Sequence, residues 1–391
     1  MKNIGIFIGN FNPIHLGHTS FLKNIKKEYS LDTIFLIPIE NKNEENLNHI
    51  PIKEKRELCQ LAIKNLEFIK LYPENFKENE DTLKFLNDIK NKEKDCNLFL
   101  VVGPFSLAEL EKNNDIEKIL KLAKIITLAP LKLFEKLTKK FKSFIIKPSK
   151  LKPIQSRKLR ILIAQKKEFS TYLNNNVFEQ IKKHKLFFGK ESLFLECYDI
   201  CRQNTSKKRF SHCNFVAKAA AELAAIYGED EMDARIAGLM HDLMKEKTKE
   251  YMQNIFNSYN FKLNDAQKIN PKVWHGIVGA LYLENVLEID NKKIINAVKY
   301  HTVPRKHMSN FEKIIFMADR ISQDRKYKDV QFLRDLSKKN IDDAVLYSLK
   351  NTISSLIKKE STISTPTIEC YNTLILKKTE NLKENENKWI D

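Results

Sequence analysis

At 391 residues the chain is too long for one ordinary hydrophobic core and is sized for two domains. Its 42% apolar content can fill such cores, yet no stretch approaches the ~20 uninterrupted apolar residues of a membrane helix, so no membrane partner is expected. The net charge of +18 comes from lysines interleaved with Glu and Asn; this speaks against a nucleic-acid partner and for a field that draws in small anions.

The first run, MKNIGIFIG, is as short and apolar as a leader segment, but Asn10, Asn12, Pro13 and two histidines stand where a cleavage site would lie, which places the chain in the cytoplasm. Runs of β-branched and aromatic residues predict strands at 4–9, 33–39, 68–73, 97–103, 124–130 and 143–148. Helical periodicity falls between them, near 15–28, 53–66, 80–91, 115–122 and 131–141, then at 154–165 and 171–185. Such alternation predicts an α/β domain with a doubly wound parallel sheet over 1–188. From 189 onward apolar residues recur only at three- and four-residue spacing, which predicts an all-α helical bundle over 189–376. The remainder, 377–391, is a charged tail without an apolar stripe and is expected to fray. Six scattered cysteines form no C-x-x-C pair and read as reduced thiols; Cys197 and Cys201, one turn apart, read as small apolar side chains on one helix face.

After the first strand comes Gly9-Asn10-Phe11-Asn12-Pro13-Ile14-His15-Leu16-Gly17-His18. A strand, a Gly/Asn turn and a helix start present backbone N–H groups and the positive end of a helix dipole to an anion. His15 and His18, three residues apart, can donate hydrogen bonds to charge developing on a transferring phosphoryl group. The motif resembles the signature of the nicotinate mononucleotide adenylyltransferases, and the resemblance runs over about 1–187 through Asp81-Thr82-Leu83, Arg56, Val102-Gly103 and Ile154 to Arg160. It implies AMP transfer from Mg²⁺-ATP to nicotinate mononucleotide without a covalent intermediate, with His15 and His18 catalytic. It further implies that Gly9, Asn10, Phe11, Thr82, Gly103, Ser156 and Arg160 line the substrate site. Gly103-Pro104-Phe105 departs from the family's Gly-Ala-Asp, and Arg157 stands where Thr is usual. An alternative reading therefore leaves only the second domain active, with the first a nucleotide-binding or scaffold module.

In the helical half, metal-ligand residue types occupy positions where the period calls for apolar ones. His212 lies on the stripe of Phe215, Val216 and Ala219; His241-Asp242 sits in ARIAGLMHDLMK; Asp319 follows Ile315 by one turn; His275 and His301 add further imidazoles. Buried carboxylates are paired or bind metal. Six N/O donors without thiolate fit a divalent or binuclear site for iron, manganese or cobalt better than one tetrahedral zinc. The order His212, His241-Asp242, His275, His301, Asp319 resembles the HD phosphohydrolases, and its local words resemble the YqeK-like diadenosine tetraphosphate hydrolases. The resemblance implies symmetrical cleavage of dinucleoside polyphosphates to two ADP, iron foremost as the metal, and His212, His241, Asp242 and Asp319 as its ligands, with His241 and Asp242 catalytic. Arg209, His275, His301, Thr302, Arg325, Thr362, Ser364, Thr365 and Thr367, together with His212 and Asp242, would contact the nucleotide. Lys245 reads as a solvated lysine. Oligomeric state has no signature in the sequence.

Overall fold

The computed structural model describes residues 1–39, 48–72, 82–103, 116–140, 142–149 and 155–387. The chain divides into two compact units, Met1–Phe188 and Gly189–Asp391.

The first unit is built on a parallel six-stranded sheet in the order β3-β2-β1-β4-β5-β6. Its strands are β1 (Lys2–Gly9), β2 (Thr33–Pro38), β3 (Ile69–Leu71), β4 (Cys96–Val101), β5 (Ala123–Pro130) and β6 (Ile145–Ser149). Each of the six predicted strands is present. The helices are α1 (Leu16–Tyr29), α2 (Ile52–Ile63), α3 (Thr82–Lys92), α4 (Ile116–Leu122), α5 (Leu131–Lys140), α6 (Ser156–Ala164) and α7 (Asn175–His184). The helix expected from 171 starts later because the Asn174 side chain accepts from the Asn176 N–H and sets the first turn there.

Successive residues of β1 face opposite layers, as the period of two demands. Ile4 and Ile6 pack with Leu98 and Leu100 on one side of the sheet, whereas Phe7 packs with Phe21 and Val101 on the other. Strand order reverses between β1 and β4, so a crevice opens beyond their carboxyl ends, the position where open α/β sheets bind ligands. Gly9 stands at that end of β1 because a Cβ there would lie 2.8 Å from the Phe11 ring.

The second unit is helical throughout its described residues. It comprises α8 (Lys190–Asn204), α9 (Lys207–Ile226), α10 (Glu231–Met240), α11 (Lys249–Ser258), α12 (Asp265–Ile269), α13 (Trp274–Asn285), α14 (Lys292–Tyr300), α15 (Asn310–Ile321), α16 (Val330–Lys339), α17 (Ile341–Lys358) and α18 (Thr365–Asn387). Its helix starts are set by side chains the sequence supplies. Ser206, Asp230, Thr248 and Ser309 each accept a backbone N–H of the first turn, and Glu312 closes a capping box on Ser309. Helix α10 is buried nearly all round and packs closely on α9. A Cβ on Gly238 would meet backbone atoms, lying 2.8 Å from Ala217 Cα and 3.0 Å from Val216 O. Gly238→Ala is therefore expected to destabilise the second unit by about 2 kcal/mol or more, read as a lowered urea midpoint; an unchanged midpoint would refute the close-approach argument.

Where the tail begins, helix α18 continues to Asn387: Cys370 and Leu374 anchor its earlier turns in the core, and Lys377 and Lys378 reach Asp342 and Asp343 of α17, both at 2.7 Å. Charge pairing across two helices replaces the apolar stripe that the sequence lacks. Among the described residues no helix is long and apolar enough to cross a membrane.

Candidate functional sites

In the first unit, β1 delivers its chain into the crevice through Asn10 and Phe11, whose φ is 42°. Phe11 is buried and sets its ring edge-on to His18, with centroids 5.2 Å apart. His15 is the N-cap of α1, and His18 lies on its first turn with its ring stacked on that of His15 at 3.7 Å. The His15 backbone N–H donates to His18 Nδ1 at 3.2 Å, so the neutral His18 ring carries its proton on Nε2. That N–H is then available to an anion. The buried His15 ring has no hydrogen-bond partner on either nitrogen. Burial lowers its pKa to about 4, and burial together with His15 holds His18 well below the usual histidine value.

Four further groups brace the loop. Arg160 donates to the Asn12 carbonyl and Ser156 to the Pro13 carbonyl, while the Asn12 amide reaches Asn48 O at 2.9 Å. The buried Lys55 ammonium bonds Asn10 Oδ1 and Ile39 O. Ser156 and Arg160, expected to line the substrate site, thus reach the backbone of the motif itself. Lys55 was missed, although it shares the buried stripe of Leu58, Cys59, Ala62 and Ile63. Thr82 opens α3 and Gly103 follows β4, both half-buried. Asp81, Pro104, Phe105 and Ile154 lie outside the described residues.

In the second unit α9, α10, α13, α14 and α15 bring four histidines and two aspartates together. Three of the imidazoles donate Nδ1–H to a carbonyl one turn back: His241 to Gly238 O at 2.6 Å, His275 to Lys272 O at 2.9 Å and His301 to Val298 O at 2.7 Å. A carbonyl can only accept, so each ring keeps a proton on Nδ1 and turns Nε2 inward, where it offers a lone pair to a metal or, in the metal-free cluster, can hold a second proton. Burial lowers the pKa of His241, but Asp242 and Asp319 outweigh it and raise that pKa. His212 differs, since its Nδ1 faces the Asp324 carboxylate at 2.8 Å. Its Nε2 lies 3.1 Å from Asp319 Oδ1, and His241 Nε2 lies 3.5 Å from Asp242 Oδ2 and 3.8 Å from Asp319 Oδ1. His275 Nε2 and His301 Nε2 stand 3.0 and 3.5 Å from Asp242 Oδ1, and 3.1 Å from each other.

An imidazole Nε2 facing a carboxylate oxygen needs a proton or a metal ion between them. Buried His241 Nε2 and Asp242 Oδ1 have no hydrogen-bond partner. Two ligand sets share His241, namely His212, His241 and Asp319, and His241, Asp242 and His301; within each, the donor atoms lie within 4.8 Å of one another. Nitrogen and oxygen donors without sulfur suit a borderline divalent ion. The residues therefore fit a metal. Burial opposes ionisation of Asp242, but His241, His275 and His301 outweigh it and hold its carboxyl far below the usual range. Burial likewise opposes ionisation of Asp319, and His212, His241 and Arg325 outweigh it.

Cations ring this cluster. Arg209 reaches Asp242 Oδ2 at 2.6 Å, Arg325 pairs with Asp319, and Thr302 Oγ1 lies 3.0 Å from His301 Nε2. Lys245, read as solvated, places its ammonium 3.2 Å from His275 Nε2, and burial lowers its pKa. Its position one turn after His241 on the same apolar segment was the available signal. Thr362, Ser364, Thr365 and Thr367 stand at the start of α18, and no hydrogen bond joins them to the cluster among the described residues. Pro366 and Glu369 of that turn line a cavity of about 350 Å³ with Lys299, Tyr300 and Val303, which flank His301 and Thr302 in the chain.

Comparison with known proteins separates along the same two units. Residues 6–161 match the family described as Cytidylyltransferase-like, and residues 209–324 match the HD domain family. Over 371 residues the chain is 27% identical to a protein of Mycoplasma genitalium named "Probable nicotinate-nucleotide adenylyltransferase/Ap4A hydrolase", covering 91% of this chain and 99% of that one. It is 31% identical over 177 residues to the symmetrical bis(5'-nucleosyl)-tetraphosphatase of Halalkalibacterium halodurans, covering 45% of this chain and 94% of that one. Over 193 residues it is 29% identical to a probable nicotinate-nucleotide adenylyltransferase of Lactococcus lactis, covering 48% and 95%.

Proposed function

Since the chain belongs to the HD family and joins that domain to a cytidylyltransferase-like one, we propose that it performs two reactions on adenine nucleotides. The second unit hydrolyses diadenosine tetraphosphate symmetrically to two ADP, and the first transfers AMP from ATP to nicotinate mononucleotide, releasing pyrophosphate. The observation that carries this reading is the convergence of inward-facing imidazole nitrogens on Asp242 and Asp319, with His241 Nε2 and Asp242 Oδ1 left for a ligand. Similarity along the whole chain to a fused relative favours two activities over an inactive first unit. Both substrates and products are soluble nucleotides, which suits action in the cytoplasm.

In the hydrolase, His212, His241, Asp242 and Asp319 would hold a divalent ion, with iron our first choice. Bound there, the ion would supply Lewis-acid stabilisation of phosphate charge and lower the pKa of an attacking water. The protein's part is positional. The three backbone bonds fix the tautomers of His241, His275 and His301, and Arg209, Lys245 and Arg325 face the cluster as phosphate partners. Water attacks one of the two central phosphorus atoms, the P–O bond of the central bridge breaks, and one ADP leaves.

In the transferase, the acceptor's phosphate oxygen attacks the α-phosphorus of Mg²⁺-bound ATP, and the α–β bridge bond breaks with pyrophosphate leaving. The His18 Nε2–H and the unpartnered His15 ring lie where the phosphates would sit at the start of α1. Turnover of each substrate by the purified chain tests the pair directly. Two ADP from diadenosine tetraphosphate, and pyrophosphate formed only when ATP and nicotinate mononucleotide are both present, support the proposal; ATP with AMP as products of the former overturns the symmetrical assignment.

Binding should also take up protons. With its pKa near 4, His15 is neutral at neutral pH in the free protein, as is His18. Bound triphosphate favours the protonated forms and raises both pKa values, so affinity for ATP is expected to rise as pH falls from about 8 towards about 5. Calorimetry in buffers of different ionisation enthalpy measures the uptake; a binding heat independent of buffer would contradict it.

A further inference from the structure

We infer that Asp324, a residue outside the metal-ligand set, is the positioning residue that fixes His212 toward the metal; the inference rests on the metal reading of the cluster given above. The argument begins with an asymmetry. His241, His275 and His301 orient themselves through carbonyls of the preceding turn, whereas the Nδ1 of His212 meets Asp324 Oδ2 at 2.8 Å. With a metal ion on Nε2, which lies 3.1 Å from Asp319 Oδ1, the His212 proton must sit on Nδ1, where the Asp324 carboxylate accepts it. With the other tautomer the proton would point at the metal position and no ligand would exist.

Asp324 is itself held. Its Oδ1 accepts from Ser322 Oγ at 2.7 Å, and Ser322 caps α15 with its N–H on Ala318 O. The turn that carries Asp324 is tied down from α16, where the Arg334 guanidinium donates to Ile321 O at 2.9 Å, Ser322 O at 3.0 Å and Arg325 O at 3.2 Å. A single short turn after Asp319 therefore supplies one direct ligand and the orienter of another. The side chain of Asp324 keeps 33% of its exposure, so truncating it opens no core cavity. A carboxylate behind a ligating imidazole also raises that ligand's basicity, and removing such a partner costs about 10–100-fold in metal affinity.

The test uses cobalt(II) titrated into the full metal-free chain and followed by its visible absorption. Asp324→Ala is expected to weaken cobalt binding by about 10–100-fold. Asp324→Asn, whose carbonyl oxygen still accepts from Nδ1, is expected to recover a large part of that loss. Asp335→Ala, which removes an exposed carboxylate of α16, should bind as the unaltered chain does. Nitrogen-15 spectra of the chain loaded with diamagnetic zinc should show His212 protonated on Nδ1, and a mixture of ring states in Asp324→Ala. Should that variant fail to fold, Ser322→Ala removes the hydroxyl that holds Asp324 Oδ1, with a longer contact to the Asp319 carbonyl, and should give a smaller loss with the same mixing of ring states. Equal binding by Asp324→Ala and the unaltered chain overturns the inference, and so does equal loss in the Ala and Asn variants, which would reduce Asp324 to a charge. A chain that takes up no cobalt at all would overturn the metal reading first and Asp324's role with it.

Discussion

Asp242→Asn is expected to reduce diadenosine tetraphosphate hydrolysis by about 10³-fold or more while leaving pyrophosphate formation by the first unit within about twofold. The carboxylate is the most heavily engaged group of the cluster, lying 2.6 Å from Arg209, 3.0 Å from His275 and within 3.5 Å of His241 and His301. Asparagine preserves its volume and packing but exchanges one oxygen for an N–H₂ group and removes the negative charge. The amide must then turn its N–H₂ either toward the Arg209 guanidinium, where donor meets donor, or toward the imidazole lone pairs, where it fills the metal position. The first replaces an anionic ligand by a weaker neutral carbonyl oxygen, and the second removes the ligand. The variant should nevertheless fold, because Arg209 is partly exposed and can be solvated when its partner is lost. Initial rates for both reactions on the same preparation check the prediction; hydrolysis retained above about a tenth would place the chemistry elsewhere than on this cluster.

How much of this could be read beforehand depended on whether a signal was local. The strands were legible because each is a short β-branched run buried on both faces, as Ile4, Ile6 and Phe7 of β1 illustrate. The histidines and aspartates were legible because they interrupt apolar stripes, an anomaly visible in one helix at a time. Asp324 was not. It lies in a turn, and only the packing of α15 against α9 brings it to His212, more than a hundred residues away in sequence. The ion pairs at the start of the tail were hidden for a related reason. Its lysines gain meaning only from Asp342 and Asp343 on another helix, and no periodicity within the tail records that partnership. Thr362 to Thr367 show the converse limit: a hydroxyl-rich word in the sequence does not say which atoms it reaches.

His18→Asn is expected to lower adenylyl transfer by about 10²–10³-fold with hydrolysis unchanged, and the choice of asparagine separates two roles of this residue. His18 accepts the His15 backbone N–H and so completes the start of α1, a contribution of about 1 kcal/mol for a side chain at a helix N-terminus. The Asn side-chain oxygen can accept the same N–H and retain that contribution, but it does not extend an Nε2–H beyond the loop. Loss of transfer with an unchanged melting temperature therefore locates the role of His18 at the phosphates rather than in the helix. His15→Ala gives the complementary result. Its ring bonds nothing in the free protein and leaves two buried nitrogens unsatisfied, so its removal should cost little stability while transfer falls by a similar factor. Full transfer by His18→Asn would mean that the backbone N–H groups at the start of α1 carry the phosphates alone, and that the stacked pair serves only to shape the loop.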